Sequence, residues 1–197
     1  MFSIEDGIDY VMFNACSVSN KDWETESVQK KFNPLSRFDH LTDQVPKNFF
    51  EPYDSFIDRY LEEGEDGFTI KDVRNNIIWL RCTAGQTWDY DVNSCVGEIV
   101  KLNHEEVEIA KTQAAEQLGG TWRLPTLEEL QSLVCEKCEK PKINEKYFPK
   151  ISPEAYWTQT QNKFNSKMYW TVNFMTGHNY SRFFAYQQLP VLLVQDR

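Results

Sequence analysis

Apolar positions recur at helical spacing in three places along the chain. Tyr53, Phe56, Ile57, Tyr60 and Leu61 fall on one face, with Pro52 before them and Gly64 after, which predicts a helix over 53–63. Asn103 to Leu118 is better marked. Asn103 is placed to cap the helix and Glu106 to complete a capping box, while Leu102 and Val107 can form a hydrophobic staple. Val107, Ala110, Ala114 and Leu118 then line one face, and Gly119 stops it. The third stretch begins at Thr126, where Glu129 three residues on makes a second capping box. Pro125 bars helix from upstream, and Leu127, Leu130, Leu133 and Val134 supply the apolar face. Trp122, Arg123, Leu124 and Pro125 are therefore expected as an extended segment feeding this helix.

Elsewhere the apolar runs are short, and period two or continuous. Asp9–Phe13 reads as a strand and 32–38 as irregular. Phe68–Lys71 and Ile77–Cys82 read as strands joined by a turn at Asp72–Asn76. After a lysine-rich loop over 135–153 come Tyr156–Thr160, Met168–Phe174, Tyr180–Ala185 and Val191–Val194, separated by polar or glycine-bearing turns. Strands, then helices, then strands describe an α+β domain over 67–197, with helices segregated from an antiparallel sheet. Glu62–Asp66 marks its boundary with an N-terminal extension.

Charge separates the same two parts. Residues 1–66 hold 15 acids against 6 bases, whereas 67–197 hold 15 of each, so the extension carries the whole net charge of −9. Such a balance argues against nucleic acid as a partner and for a solvated surface, with a docking face for a basic partner as the sharper alternative. An aromatic content of 14% is ample for a core, and no apolar run approaches the ~20 residues of a membrane-spanning helix. The first residues lack the basic start of a signal peptide, so the expectation is a cytoplasmic protein or the mature form of a secreted or cell-surface one.

Candidate chemistry is sparse. Cys82 and Cys95 enclose 12 residues, a spacing compatible with a disulfide, and Cys135 and Cys138 form a CxxC pair; Cys16 stands alone. Structural disulfides or inert thiols are the favoured reading. A zinc site would need the two pairs brought together, and redox catalysis would need CxxC at a helix start rather than past a helix end. Asp89, Asp91, Asn93 and Glu98 lack the spacing of a calcium loop. His40, His104 and His178 are scattered, and His104, in a first helical turn, is expected to be neutral and exposed. Trp79, Trp88, Trp122, Trp157 and Trp170 read as core rather than sugar-stacking platforms, Trp88 least firmly. No catalytic set, metal site or cofactor motif emerges. The remaining candidate is a late cluster of Asn173, His178, Asn179, Tyr180, Arg182, Phe184, Tyr186, Gln187 and Gln188, residue types that supply rigid amphipathic contacts and adaptable hydrogen bonds in recognition surfaces.

A series of motifs runs in a fixed order through the last two-thirds: Ile78-Trp79-Leu80-Arg81-Cys82, Gly85-Gln86-Thr87-Trp88, Cys95-Val96-Gly97, Trp122-Arg123-Leu124-Pro125-Thr126, Tyr147-Phe148-Pro149, Tyr156-Trp157-Thr158 and Tyr169-Trp170-Thr171-Val172-Asn173-Phe174. It resembles the Lcl C-terminal-domain-like family over about 68–197. The resemblance implies a C-type-lectin-like fold, shared with formylglycine-generating enzymes, in which loops between late strands present a variable ligand surface. It also implies a non-catalytic module that binds a protein or a glycan, such as the sulfated polysaccharides taken by the adhesin of that family. Two departures stand out: the last strand is apolar until Arg197, and the net charge is negative. The chain also lacks the late cysteine pair of formylglycine-generating enzymes, having none after Cys138. Two other functions are weighed beside binding: an adaptor, of phage, secreted or toxin-related type, acting through its acidic extension, and a metal- or thiol-dependent enzyme using Cys135 and Cys138.

Overall fold

The computed structural model describes residues 60–197. The strand expected at Asp9–Phe13, the irregular 32–38 stretch, Cys16, His40 and residues 53–59 of the first expected helix lie outside the described residues. Within them the chain runs β1 (Leu61–Glu63), β2 (Thr69–Asp72), β3 (Ile77–Leu80), β4 (Thr87–Asp89), β5 (Ser94–Val96), α1 (His104–Leu118), α2 (Leu127–Gln131), β6 (Ala155–Gln161), β7 (Met168–Asn173), β8 (His178–Phe184) and β9 (Val194–Asp196). Three sheets form, with orders β1-β2-β3-β9, β4-β5 and β6-β7-β8, and every pairing is antiparallel. This is an α+β arrangement of small antiparallel sheets and two helices.

Two apolar cores lie on opposite sides of a set of extended segments. The first holds Ile70, Ile77, Trp79, Leu130, Leu133, Ile143, Phe148, Tyr156, Val172, Phe174, Leu192 and Val194. The second holds Leu80, Leu102, Val107, Ala110, Ala114, Trp122, Leu124, Trp157, Val191 and Leu193. Consecutive residues go to different cores: Trp79 to one and Leu80 to the other, Tyr156 and Trp157 likewise, then Val191, Leu192 and Leu193 in alternation. A strand sends successive side chains to opposite faces, so a segment buried on both faces must be apolar at every position. That is why these stretches are continuous apolar runs.

Both helix starts form as the sequence dictates. The Asn103 side chain accepts from the Glu105 and Glu106 N–H groups while Glu106 accepts from the Asn103 N–H, and Gly119 ends α1 with φ +75°. Val107, Ala110 and Ala114 are buried, and Leu118 packs at the margin. Thr126 and Glu129 make the second box.

Four sequence expectations need correction. Leu61–Glu63, expected at the end of a helix, is the edge strand β1: Leu61 is buried in the first core and the segment pairs with β2, so tertiary pairing overrides helical spacing. Helix α2 ends at Gln131, and Leu133 and Val134 reach the core from the turns that follow. The last strand is Val194–Asp196 rather than Val191–Val194. Residues 191–193 are still extended beside β3, with the Leu80 N–H donating to the Leu193 carbonyl and the Ala84 N–H to the Val191 carbonyl. The loop between Cys82 and Cys95 contains a hairpin, β4-β5, that the sequence did not announce. Its approach is shaped by Gly85, at φ +90°, where a Cβ would sit 2.5 Å from the Glu98 carbonyl oxygen.

Candidate functional site

The support for any surface in this domain begins with three internal clamps. Arg81 ends the β3 run and is buried. Its Nε donates to the Tyr147 carbonyl at 2.9 Å, Nη2 to the Lys146 carbonyl at 2.7 Å and Nη1 to the Gly67 carbonyl at 2.9 Å. Its guanidinium also lies 4.0 Å from the centre of the Trp88 ring. Burial lowers its pKa, partly opposed by the Glu63 and Asp66 carboxylates, yet an arginine starts so high that it stays charged. Trp88 is thus a core residue, closed in with Cys82, Cys95 and Phe68, and Cys82–Cys95 is a disulfide.

The second clamp is the Trp122–Glu129 strip, in which Trp122–Pro125 run without helix into the start of α2, as expected. Arg123 meets both oxygens of Glu129, at 2.8 and 2.9 Å, and both of Asp196 in β9, at 2.6 and 3.3 Å. Its backbone exchanges hydrogen bonds with Val194. Burial pushes the Glu129 pKa up, but the hydrogen bond from Arg123, the Thr126 N–H and the arginine charge together outweigh it and hold the carboxyl below its usual range. Leu124 is buried, the Pro125 carbonyl accepts from the Gln159 N–H, and the Trp122 Nε1–H donates to the Gly119 carbonyl. Each of these contacts is internal to the domain.

The third is His104. Expected exposed, it is half-buried: its ring stacks on Tyr169 with centroids 3.6 Å apart and meets Trp157 edge-on at 4.6 Å, and its Nε2 is buried without a hydrogen-bond partner. The aromatic pocket that β6 and β7 build beside α1 is what the sequence could not show. Burial lowers its pKa from 6.5 to about 4, against the raising influence of Glu108. The unfolded chain then binds a proton between pH 6.5 and 4 that the folded one refuses. Stability is full above pH 6.5, falls as pH drops through that window and levels off below 4. Allowing for the ring's partial exposure, the loss should be about 1–2 kcal/mol. Urea midpoints at pH 7 and 4.5 check this: His104→Phe should flatten the difference, and an unchanged difference would assign it to other groups.

The late cluster forms a strip along β8, not a pocket. Strand β8 pairs only with β7 among the described residues and is the outer strand of its sheet. At one end Asn173 pairs with His178 and shapes the β7-β8 turn, its Oδ1 accepting from the Met175 N–H. Asn179 donates to the Gln131 side chain at 3.2 Å, tying that end to α2. Midway, the Arg182 guanidinium lies 5.6 Å from the Tyr180 ring centre. At the far end Phe184 and Tyr186 stack, 5.5 Å apart and 13° from parallel, and the Gln187 Oε1 accepts from the Phe184 N–H. His178, Asn179, Arg182, Tyr186 and Gln188 are exposed, whereas Phe183 turns inward against Trp157. A bulge in β8 opposite Tyr169–Thr171 pairs Phe183 with Tyr169 and Tyr180 with the buried Thr171.

Cys135 and Cys138 form a second disulfide, beyond the end of α2, and among the described residues no cluster of three or more His, Cys, Asp or Glu side chains is placed to hold a metal ion. Asp89 is spent on its own turn, accepting from the Asp91 and Val92 N–H groups. A cleft of about 350 Å³ opens on the outer face of the four-stranded sheet, bordered by Asp66, Phe68, Lys71, Leu118, Trp122 and Gln195. Its one hydroxyl, Thr69, is held by Asp66. No described helix is long and apolar enough to cross a membrane.

The sequence marks a turn between β6 and β7, but Phe164, fully exposed there between Lys163 and Lys167, was not among the candidate residues. The signal was there: one aromatic among polar residues in a six-residue turn, with no apolar neighbour to pack on.

A search of the curated proteins and of the solved structures finds no match to the chain. The family model of the Lcl C-terminal domain matches residues 68–195, from the start of β2 to β9 and through every clamp described above. The chain belongs to the Lcl C-terminal domain family.

Proposed function

We propose that this domain is a non-catalytic binding module with a C-type-lectin-like fold, which takes a protein or glycan partner on β8 and the turn that follows. One observation carries the reading. Strand β8 presents Asn179, Arg182 and the aromatic pair of Phe184 and Tyr186 on an outer edge, while Phe183 of the same strand is fixed in the core against Trp157. Recognition gains when contact groups are held in place before the partner arrives, because less ordering entropy is then lost on binding. The Arg81 and Arg123 clamps, with the Cys82–Cys95 disulfide, support that rigidity.

The test is Tyr180→Ala with Arg182→Ala in the full chain, measured against the partner recovered from the native host. Binding should be abolished while the melting temperature stays within a few degrees, since neither side chain is buried. Unchanged affinity would refute the site. Thiol titration of Cys82 and Cys95 in protein from that host bears on where binding occurs: oxidised cysteines favour a compartment outside the cytosol and reduced ones an intracellular partner.

A further inference from the structure

The end of the β6-β7-β8 sheet has a chemistry unlike the rest of the chain. From Ala155 to Gln195, 41 residues, there is no aspartate or glutamate, while Lys163, Lys167 and Arg182 are all present, in a protein of net charge −9. The carboxylates that border this span are already matched: Glu154 is paired with Lys101, and Asp196 with Arg123. Of those that α1 brings to the same end, where the His104 N–H donates to the Ala185 carbonyl, Glu106 is bound in the helix cap and Glu108 pairs with Lys111. Glu105 sits in the first turn, where the helix's positive end offsets it. Screening confines charge effects to about 10 Å or less in physiological salt, so among the described residues the local surplus of cations governs this surface.

The same end carries apolar anchors. Phe164 is 100% exposed at the β6-β7 turn, and Tyr186 is 73% exposed. The turn is organised: the Asn162 Oδ1 accepts from the Phe164 N–H at 2.8 Å and the Asn162 Nδ2 donates to the Ser181 carbonyl at 2.7 Å, tying it to β8. Met168 pairs with Phe184, and the Ala185 N–H donates to the Lys167 carbonyl, so the turn and the stacked pair of Phe184 and Tyr186 belong to one tip. Covering a large exposed apolar side chain with a partner's apolar surface is favourable, by about 1.5–3 kcal/mol when burial is complete.

We infer that this tip is a docking point for an acidic protein partner: Phe164 enters an apolar pocket on that partner while Lys163, Lys167 and Arg182 meet carboxylates around the pocket's rim. The inference rests on the binding-module reading and specifies its partner. A central aromatic anchor ringed by charges is the arrangement in which a few residues carry most of an interface's energy. The rim charges set salt dependence and on-rate. A protein fits better than a bare polyanion, because cations alone would satisfy the latter and leave Phe164 uncovered.

The test offers the full chain to three immobilised probes at 50 and 300 mM salt: a random copolymer of glutamate and tyrosine, heparin, and vesicles containing phosphatidylglycerol. The copolymer should be bound in preference to the other two. Phe164→Ala should weaken that binding at least tenfold at both salt concentrations, with Phe164→Leu restoring part of it. Lys163→Glu with Lys167→Glu should weaken it mainly at low salt. Melting temperatures should not move, since the altered side chains are exposed. Preference for heparin or for vesicles would overturn the inference, as would full retention of copolymer binding by Phe164→Ala. The two readings fail differently. If the Tyr180 and Arg182 double variant loses the native partner while Phe164→Ala keeps it, the binding strip stands and this tip does not. If neither variant loses the native partner, both fall.

Discussion

Arg81→Ala should destabilise the domain by about 3–5 kcal/mol, the largest effect expected of any single substitution here. The side chain fills a buried position and donates to three backbone carbonyls, two in the 146–147 turn and one at Gly67. Truncation removes all three donors at once, and a buried acceptor left without a partner costs about 1–3 kcal/mol. It also opens the face of Trp88 on which the guanidinium lies. Urea unfolding followed by tryptophan fluorescence would measure the loss, and Arg81→Met separates its causes. Methionine keeps much of the packing but supplies no donor, so it should recover less than half of the lost stability. A methionine variant as stable as the parent would mean that the hydrogen bonds contribute nothing net and that packing alone holds the structure around β3. Arg81→Lys should also fall short, since one ammonium cannot reach three carbonyls arranged for a planar fork.

Cys82→Ser with Cys95→Ser should cost about 3 kcal/mol, the loop-closure entropy that a crosslink spanning 13 positions removes from the unfolded chain. The disulfide and Arg81 act on the same hairpin: Trp88 contacts the guanidinium and shares a buried cluster with both cysteines. Their losses should therefore not add. Once the disulfide is gone, β4-β5 is held chiefly through Trp88, and removing Arg81 as well should expose a coupling of about 0.5 kcal/mol or more in a double-mutant cycle. Strict additivity would show that the hairpin is anchored elsewhere. Cys135→Ser with Cys138→Ser should cost less than the first pair, because a crosslink of separation 3 restrains the unfolded chain less.

Local signals in the sequence proved sufficient at both helix starts and at several hairpins closed by their own neighbours. Asn103 with Glu106 and Thr126 with Glu129 needed only three-residue spacing, and both boxes form. The β2-β3 hairpin is of the same kind, its turn held by the Asp72 carboxylate, which accepts from the Arg74 and Asn75 N–H groups. The strands β6, β7 and β8 and the turn residues between them were legible for the same reason.

Where the sequence misled, a distant partner made the difference. Leu61–Glu63 carries helical spacing but is recruited as a strand by β2. His104 looks like a solvent-facing residue of a first helical turn until Tyr169, 65 positions on, stacks against it. In the candidate site, the residue types of β8 could be read off directly, whereas the turn bearing Phe164 could not be placed beside Tyr186. That neighbourhood exists only through the pairing of Met168 with Phe184.

By itself the sequence determined the helix caps, the β2-β3 hairpin, the run β6 to β8 and the α+β class, because each rests on contacts within a few residues that any fold must respect. Only the tertiary structure decided that Arg81 and Arg123 are internal clamps and that the 191–193 run divides two cores. It alone brought an acid-free, aromatic tip together from two separate turns. Those outcomes depend on which distant segments share a space, and a residue's chemistry does not specify its long-range neighbours until the chain has closed around it.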